Sequence, residues 1–320
     1  MIVAATWDAP GLGPASRELL GAAVRLGAAL GEQVAVASLG PQGSGAAEES
    51  GGYGVAQAFV VEGDCAASGS EGSIAVLAEL ARELGARAVL LAADDRSAEI
   101  APRLAERLGG TAVMHATAIE VHDERPVWTR PVYGGKALAT ISAASEPVVA
   151  TLRRGAFAAA EVTGGAAAVS TRTAPPTDGA VELIDSEVPV AGASLEDATV
   201  IVSGGSGVGN VEGFAELEEL ARLLGGAVGA SLAAVDAGWA QPDRQVGLTG
   251  KVVSPDVYFA IGISGASQHL AGIAGAKAVI AVNTDPDAPI FGRARLGVLM
   301  DCRLFLPALI EALQRRASPR

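Results

Sequence analysis

Short apolar runs and helical patterns alternate through the first hundred residues. Residues 2–6, 33–38, 58–61 and 88–92 are compact, mostly apolar runs, as expected of strands buried on both faces. Residues 15–30 read as a helix. Over 71–84, Ile74, Leu77, Ala78, Ala81 and Leu84 recur at helical spacing, and 99–108 predicts a further helix. Strands separated by helices imply parallel pairing through right-handed crossovers. The pattern changes over 111–165. Extended runs at 113–119 and 147–152 are separated by turn signals at Asp123-Glu124 and Tyr133-Gly134-Gly135, so extra strands are expected to complete this first domain.

Residues 163–195 are rich in Thr, Ser, Gly and Ala and contain Pro175-Pro176-Thr177-Asp178-Gly179, so they read as a linker with a boundary near 188. An α/β pattern then restarts. Residues 198–203 form a strand, 203–210 a glycine-rich turn, and Phe214, Leu217, Leu220, Ala221 and Leu224 one helix face. Residues 257–263 and 278–283 read as buried strands and 304–314 as a closing helix. The expected fold class is α/β in two domains. Residues 1–188 form an N-terminal α/β domain with a parallel sheet plus extra strands. Residues 189–320 form a doubly wound α/β domain. No fixed-period repeat is found.

Composition narrows the function classes. Half of the 320 residues are hydrophobic and 18% are charged, which excludes a disordered chain. The net charge of −13 repels phosphate backbones and argues against nucleic-acid binding. Two separated cysteines, Cys65 and Cys302, and three scattered histidines make neither a disulfide framework nor a metal cluster. This usage fits a reducing, cytoplasmic compartment. The N-terminal residues lack a basic segment and read as no signal peptide. Residues 257–276 carry no Asp, Glu, Lys or Arg, but their glycines, serines, Gln268 and His269 favour a strand, a turn and a short helix over a membrane span.

Three places offer chemistry. The turn at 204–209 joins a strand to a helix, where backbone N–H groups cradle phosphate, although neither dinucleotide nor P-loop spacing is present. An ordinary strand–helix turn explains it equally well. Residues 262–269 (Gly-Ile-Ser-Gly-Ala-Ser-Gln-His) end one strand and open a helix, the position at which open α/β sheets bind ligands. There Ser264 and the following N–H groups suit a pyrophosphate, and His269 a ring or carbonyl. Asn283 and Asp301 follow two further strands. Cys302 reads as packing. No nucleophile elbow or carboxylate pair stands out. Polar groups at three strand ends favour a nucleotide-like ligand over a catalytic triad.

The stretch 198–312 resembles the alpha subunit of electron transfer flavoprotein. The resemblance rests on Val202-Ser203-Gly204-Gly205, Val228-Gly229-Ala230-Ser231, Ala233-Ala234-Val235-Asp236-Ala237-Gly238-Trp239 and Val246-Gly247. It continues through Thr249-Gly250-Lys251, Gly262-Ile263-Ser264-Gly265-Ala266, Gln268-His269-Leu270-Ala271-Gly272 and Asp285-Pro286-Asp287-Ala288-Pro289-Ile290-Phe291. The N-terminal half fits the family by layout alone. The resemblance implies FAD in the second domain and a heterodimer with a beta subunit, which holds AMP or a second FAD. It also implies electron transfer from dehydrogenases to a quinone-linked or other acceptor. By the same resemblance, Ser231, Val246, Gly247, Leu248 and Thr249 lie at the flavin ring, with Thr249 toward N5 and His269 near O2. Ser264, Gly265, Ala266, Ser267 and Gln268 meet the cofactor chain and phosphates. Asn283 and Asp301 hold the ADP end, and Ser206 in the glycine turn and Cys302 are counted with the cofactor-binding residues. A flavin-dependent oxidoreductase on the same heterodimer, or a scaffold subunit with weakened FAD binding, are the alternatives.

Four positions depart from the family pattern. Ser206 and Leu232 stand where arginines are usual, Leu248 where glutamine is, and Thr284 where lysine is. The arginine replaced by Leu232 would favour a negative charge on the flavin. Its loss implies a lower potential, or a less stable one-electron-reduced state, than is usual for the family.

Overall fold

The computed structural model describes residues 1–7, 11–39, 43–63, 70–175 and 195–317. The chain divides into two compact units, Met1–Val188 and Pro189–Arg320. The expected boundary near 188, and Cys65, lie outside the described residues.

In the first unit, β1 (Ile2–Thr6), α1 (Pro14–Leu30), β2 (Val34–Ser38), α2 (Ser44–Gly51), β3 (Gln57–Glu62), α3 (Ser70–Glu83), β4 (Ala88–Ala92) and α4 (Asp95–Leu108) follow in order. Next come β5 (Thr111–Ala116), β6 (Ala118–His122), β7 (Arg125–Val132), β8 (Ala137–Ser142), β9 (Val148–Leu152) and β10 (Ala168–Thr173). Seven strands form one parallel sheet in the order β10-β3-β2-β1-β4-β9-β5. Its two faces carry separate cores. Leu19, Leu20 and Val36 pack on one side, and Leu77, Ile100 and Leu104 on the other. The extra strands β6, β7 and β8 form a separate antiparallel sheet, with Trp128 of β7 fully buried in the first core.

Two expectations need correction. The linker region contains β10, an edge strand paired in parallel with β3. Its Ser and Thr side chains are exposed and Arg172 lies over Phe59 and pairs with Glu83, so it lacks the apolar run that marks a buried strand. Helix α4 starts four residues before the predicted 99, because Asp94 caps it by accepting the Ser97 N–H at 2.6 Å.

The second unit contains β11 (Val200–Gly204), α5 (Val211–Leu224), β12 (Ala227–Ala230), α6 (Leu232–Asp236), β13 (Val257–Ile261), α7 (Ser267–Gly272), β14 (Ala278–Asn283), β15 (Leu296–Leu299) and α8 (Cys302–Ala317). All five strands are parallel, in the order β12-β11-β13-β14-β15. Successive residues alternate between its two cores: Ile201, Tyr258 and Ala260 enter one, Val202, Phe259 and Ile261 the other. Burial on both faces requires continuous apolar strands, and the chain supplies them. The uncharged stretch 257–276 folds as β13, a glycine turn and α7. No helix among the described residues is long and apolar enough to cross a membrane.

Candidate functional site

Five strands of the second unit end along one edge, at Gly204, Ala230, Ile261, Asn283 and Leu299. Gly204 pairs with both Ala230 and Ile261, and Asn283 with Leu299, so these ends lie side by side. The first strand of the unit, β11, lies between the second and the third. The order therefore reverses between β11 and β13, the switch point at which such sheets bind ligands. Ser206, Ser231, residues 264–269, Asp301 and Cys302 follow these strand ends, and Asn283 is itself one of them.

The turn after β11 is built for contact with the turn after β13. The N–H groups of Gly205 and Gly207 donate to the carbonyls of Ile261 and Gly262 at 2.9 and 3.0 Å. A Cβ on Gly205 would lie 2.3 Å from the Gly262 oxygen, and one on Gly207 2.8 Å from its Cα. Only glycine allows this approach. The N–H groups of Gly205, Gly207 and Val208 are thus bonded inside the protein, as an ordinary strand–helix turn requires. Ser206 is exposed at the tip. Cys302 is buried beneath the turn and donates its thiol to the Gly207 oxygen at 3.3 Å. Burial pushes that thiol's pKa up, so it stays protonated, in agreement with a packing role.

A second loop, 245–251, seats between β12 and α7. The Val246 N–H donates to the Ala230 oxygen at 2.8 Å, and the Leu248 N–H to the Gln268 oxygen at 2.8 Å. The Val246 side chain belongs to the core. Gly247 lies against Gly272, Leu248 is exposed, and Thr249 is exposed. The Thr249 hydroxyl accepts a hydrogen bond from Gln245 Nε2 at 2.9 Å and keeps its own proton for another acceptor.

The segment 264–268 is exposed apart from Gly265. Among the described residues, the backbone N–H groups of Ser264, Ala266, Ser267 and Gln268 donate to no acceptor, as expected where a helix begins. Behind them His269 is buried, at 6% exposure. Its Nε2 lies 3.0 Å from the Tyr258 hydroxyl. Its Nδ1 is buried without a hydrogen bond of normal geometry. Burial lowers the His269 pKa to about 4, against a smaller opposing effect of the Val246 backbone, so the ring is neutral at pH 7.

At the far end of the edge, polar groups are already engaged. Asn283 Nδ2 donates to the Ile263 oxygen at 3.0 Å, and its Oδ1 accepts the Asp285 N–H at 3.0 Å. Asp301 accepts from the Arg303 guanidinium at 2.7 Å, which holds its carboxyl below the usual range. Ser231 Oγ caps α6 by accepting the Ala234 N–H at 3.4 Å. Sequence reasoning missed Tyr258 and Gln245, the partners of His269 and Thr249. A tyrosine inside an apolar strand was the available signal, because a buried phenol needs a partner.

Residues 2–177 match the sequence model of the electron transfer flavoprotein domain, and residues 194–274 that of the electron transfer flavoprotein FAD-binding domain. The chain belongs to the electron transfer flavoprotein alpha-subunit family. It is 38% identical to an electron transfer flavoprotein subunit alpha of Syntrophomonas wolfei, over 89% of this chain and 91% of that one. It is 38% identical to that of Paracoccus denitrificans, over 94% and 96%. It is 39% identical to that of Mycobacterium leprae, over 82% and 83%.

FAD is therefore the cofactor of the second unit. The residues fit it. His269, buried behind this segment, has an Nδ1 with no hydrogen-bond partner in the chain. The unpartnered N–H groups from Ser264 to Gln268 suit an anionic phosphate. Among the described residues no group of three His, Cys, Asp or Glu could hold a metal ion.

Proposed function

We propose that this chain is the FAD-binding alpha subunit of a heterodimeric electron transfer flavoprotein, closed by a beta subunit and working in the cytoplasm. It would carry electrons from dehydrogenases to a quinone-linked or other redox acceptor. The observation that carries this reading is the neutral, buried His269 beside free backbone donors at the switch point of the FAD-binding domain.

FAD supplies the one- and two-electron chemistry when bound, and the protein binds, orients and tunes it. Ser231, the backbone of Val246 and Gly247, Leu248 and Thr249 would line the ring, with the free Thr249 proton as a donor. Ser264, Gly265, Ala266, Ser267 and Gln268 would hold the phosphate chain. Asn283 and Asp301 would act at the ADP end, with Ser206 and Cys302 at the turn beneath. Asn283 would do so mainly by fixing loops, since both ends of its amide are bonded.

The exposed Leu232, at 49%, favours a second reading, a scaffold subunit with weakened FAD binding. One experiment separates the two. The chain is co-purified with its beta subunit and its visible spectrum followed through stepwise reduction. Bound flavin that accepts electrons one at a time supports the carrier. Absence of flavin after added FAD supports the scaffold.

A further inference from the structure

Three segments of the first unit come together near the carboxyl end of β9 and carry cations without acids. Residues 111–119 contain His115, residues 125–142 contain Arg125, Arg130 and Lys136, and residues 147–160 contain Arg153 and Arg154. None of them contains Asp or Glu, in a chain of net charge −13. Backbone bonds hold three of these side chains as neighbours. The Arg153 N–H donates to the Ala116 oxygen at 2.9 Å, and the Thr117 N–H to the Thr129 oxygen at 2.7 Å. Arg153, directly after β9, and Arg130, on β7, are thereby held next to His115. A bulge between Val113 and Ala116 takes His115 out of the ladder, with a φ of +56°, and its N–H donates to Thr151 Oγ1 at 2.7 Å. Burial first, then the Arg130 and Arg153 guanidiniums, hold the His115 pKa down, in keeping with this placement.

The inner face of β7 offers donors and no acceptor. Trp128 and Arg130 lie two residues apart on that face. Trp128 is fully buried, and its Nε1 has no hydrogen-bond partner; the buried Nε of Arg130 has none either. Indole and guanidinium nitrogens only donate, so what these groups call for is an acceptor. Buried donors rarely stay unpaired. Among the described residues no carboxylate pairs with Arg130. Glu18 of α1 reaches this part of the fold and accepts the Gly155 N–H at 2.6 Å. The place is open to a ligand, since Arg130 and Arg153 are partly buried and His115 is exposed. It also lies at the carboxyl ends of β5 and β9, the edge at which open α/β sheets hold ligands.

We propose that Arg130, His115 and Arg153 form a binding site in the first unit for a phosphate-type oxyanion, either free phosphate or the phosphate group of a small metabolite. The planar fork of Arg130 presents N–H groups to two anion oxygens, Arg153 adds a second positive charge, and His115 adds a donor from the exposed side. The site is separate from the flavin domain and does not depend on the function proposed above. A purely structural Arg130 would cover β7 with its alkyl stem and need no anion.

The test is an NMR titration of the full chain, 15N-labelled at arginine and histidine, with sodium phosphate against sodium chloride at equal ionic strength. Only three histidines are present, and His122, which ends β6 beside Glu120, serves as the internal control. The Arg130 Nε–H and His115 ring signals should shift and saturate with phosphate but not with chloride. The His115 pKa should rise as the anion offsets the two guanidiniums. Arg130→Gln should weaken the fitted affinity roughly ten- to a hundredfold, the range of a hydrogen bond to a charged group. Arg130→Lys keeps the charge and loses the fork, so its affinity should fall between the two, and it carries the test if the glutamine variant fails to fold. Glycerol phosphate separates the sources: tighter binding than inorganic phosphate assigns a phosphate ester, and equal or weaker binding assigns free phosphate. Shifts that do not saturate, that match those in chloride, or that appear equally at His122 would overturn the proposal. So would unchanged affinity in the two variants. Loss of phosphate binding in the complex with the beta subunit would also overturn it, since Arg130 would then belong to that interface.

Discussion

A Cβ placed on Gly272 would lie 2.5 Å from the Cα of Gly247. The end of α7 therefore presses directly on the loop that carries Thr249. The same loop is tied to α7 by the Leu248 N–H and the Gln268 oxygen. Gly272→Ala must push the two apart. Overpacking of this kind costs about 1–3 kcal/mol. The thermal midpoint should fall, and FAD should be retained less well through gel filtration. Unchanged stability together with full flavin occupancy would show that the loop moves freely.

Asn283 links two strand-end turns through hydrogen bonds to Ile263 and Asp285. Removing a partly buried partner leaves the Ile263 oxygen unsatisfied, at a cost of roughly 1–3 kcal/mol. Asn283→Ala should therefore destabilise the flavin-free chain in urea. If Asn283 acts only by touching the ligand, the flavin-free chain will unfold at the same urea concentration as before, and only FAD affinity will change.

Leu232 opens α6 directly after Ser231 and is about half exposed. With the flavin placed as proposed above, a guanidinium there would stand near the negative charge that develops during reduction. A cation favours that charge, so Leu232→Arg should raise the potential of the first electron. Each 1.4 kcal/mol of charge stabilisation corresponds to about 60 mV for a one-electron step. Spectroelectrochemical titration of the complex at low and high salt reads the shift, which salt should reduce. A potential that stays put or falls would remove Leu232 from the account of flavin tuning.

Much of the fold was legible because buried parallel strands must be apolar throughout. β1, β4 and β14 stand out for that reason, and the repeated strand–helix alternation implies the parallel sheets of both units. Elements that bury little were not legible. Helix α2 reads Ser-Gly-Ala-Ala-Glu-Glu-Ser-Gly, with no large apolar side chain, and β12 is four residues of Ala, Val and Gly. β10 is polar because it is an edge. At the site, the strand-end residues were legible from their positions after apolar runs. What they bond to was not. The Tyr258–His269 pair joins a strand to a helix across a turn, and Cys302 reaches Gly207 from far along the chain. Both contacts come from tertiary packing, which leaves no periodicity in the sequence.

His269 also makes the chain acid-sensitive. Its pKa is lowered to about 4 by burial, from an ordinary 6.5 in the unfolded chain. Above pH 6.5 both forms are neutral, and the stability of the folded state is fully present. As pH falls below 6.5 the unfolded chain binds a proton that the folded chain refuses, and stability declines until about pH 4. The difference amounts to about 3 kcal/mol over that window. His269→Gln cannot titrate, so the flavin-free variant should lose less stability than the unmodified chain between pH 7.5 and 4.5. Urea midpoints for the two proteins at several pH values give the comparison, and other titrating groups cancel in the difference. Parallel curves for the two proteins would mean that His269 is already accessible to protons in the folded chain.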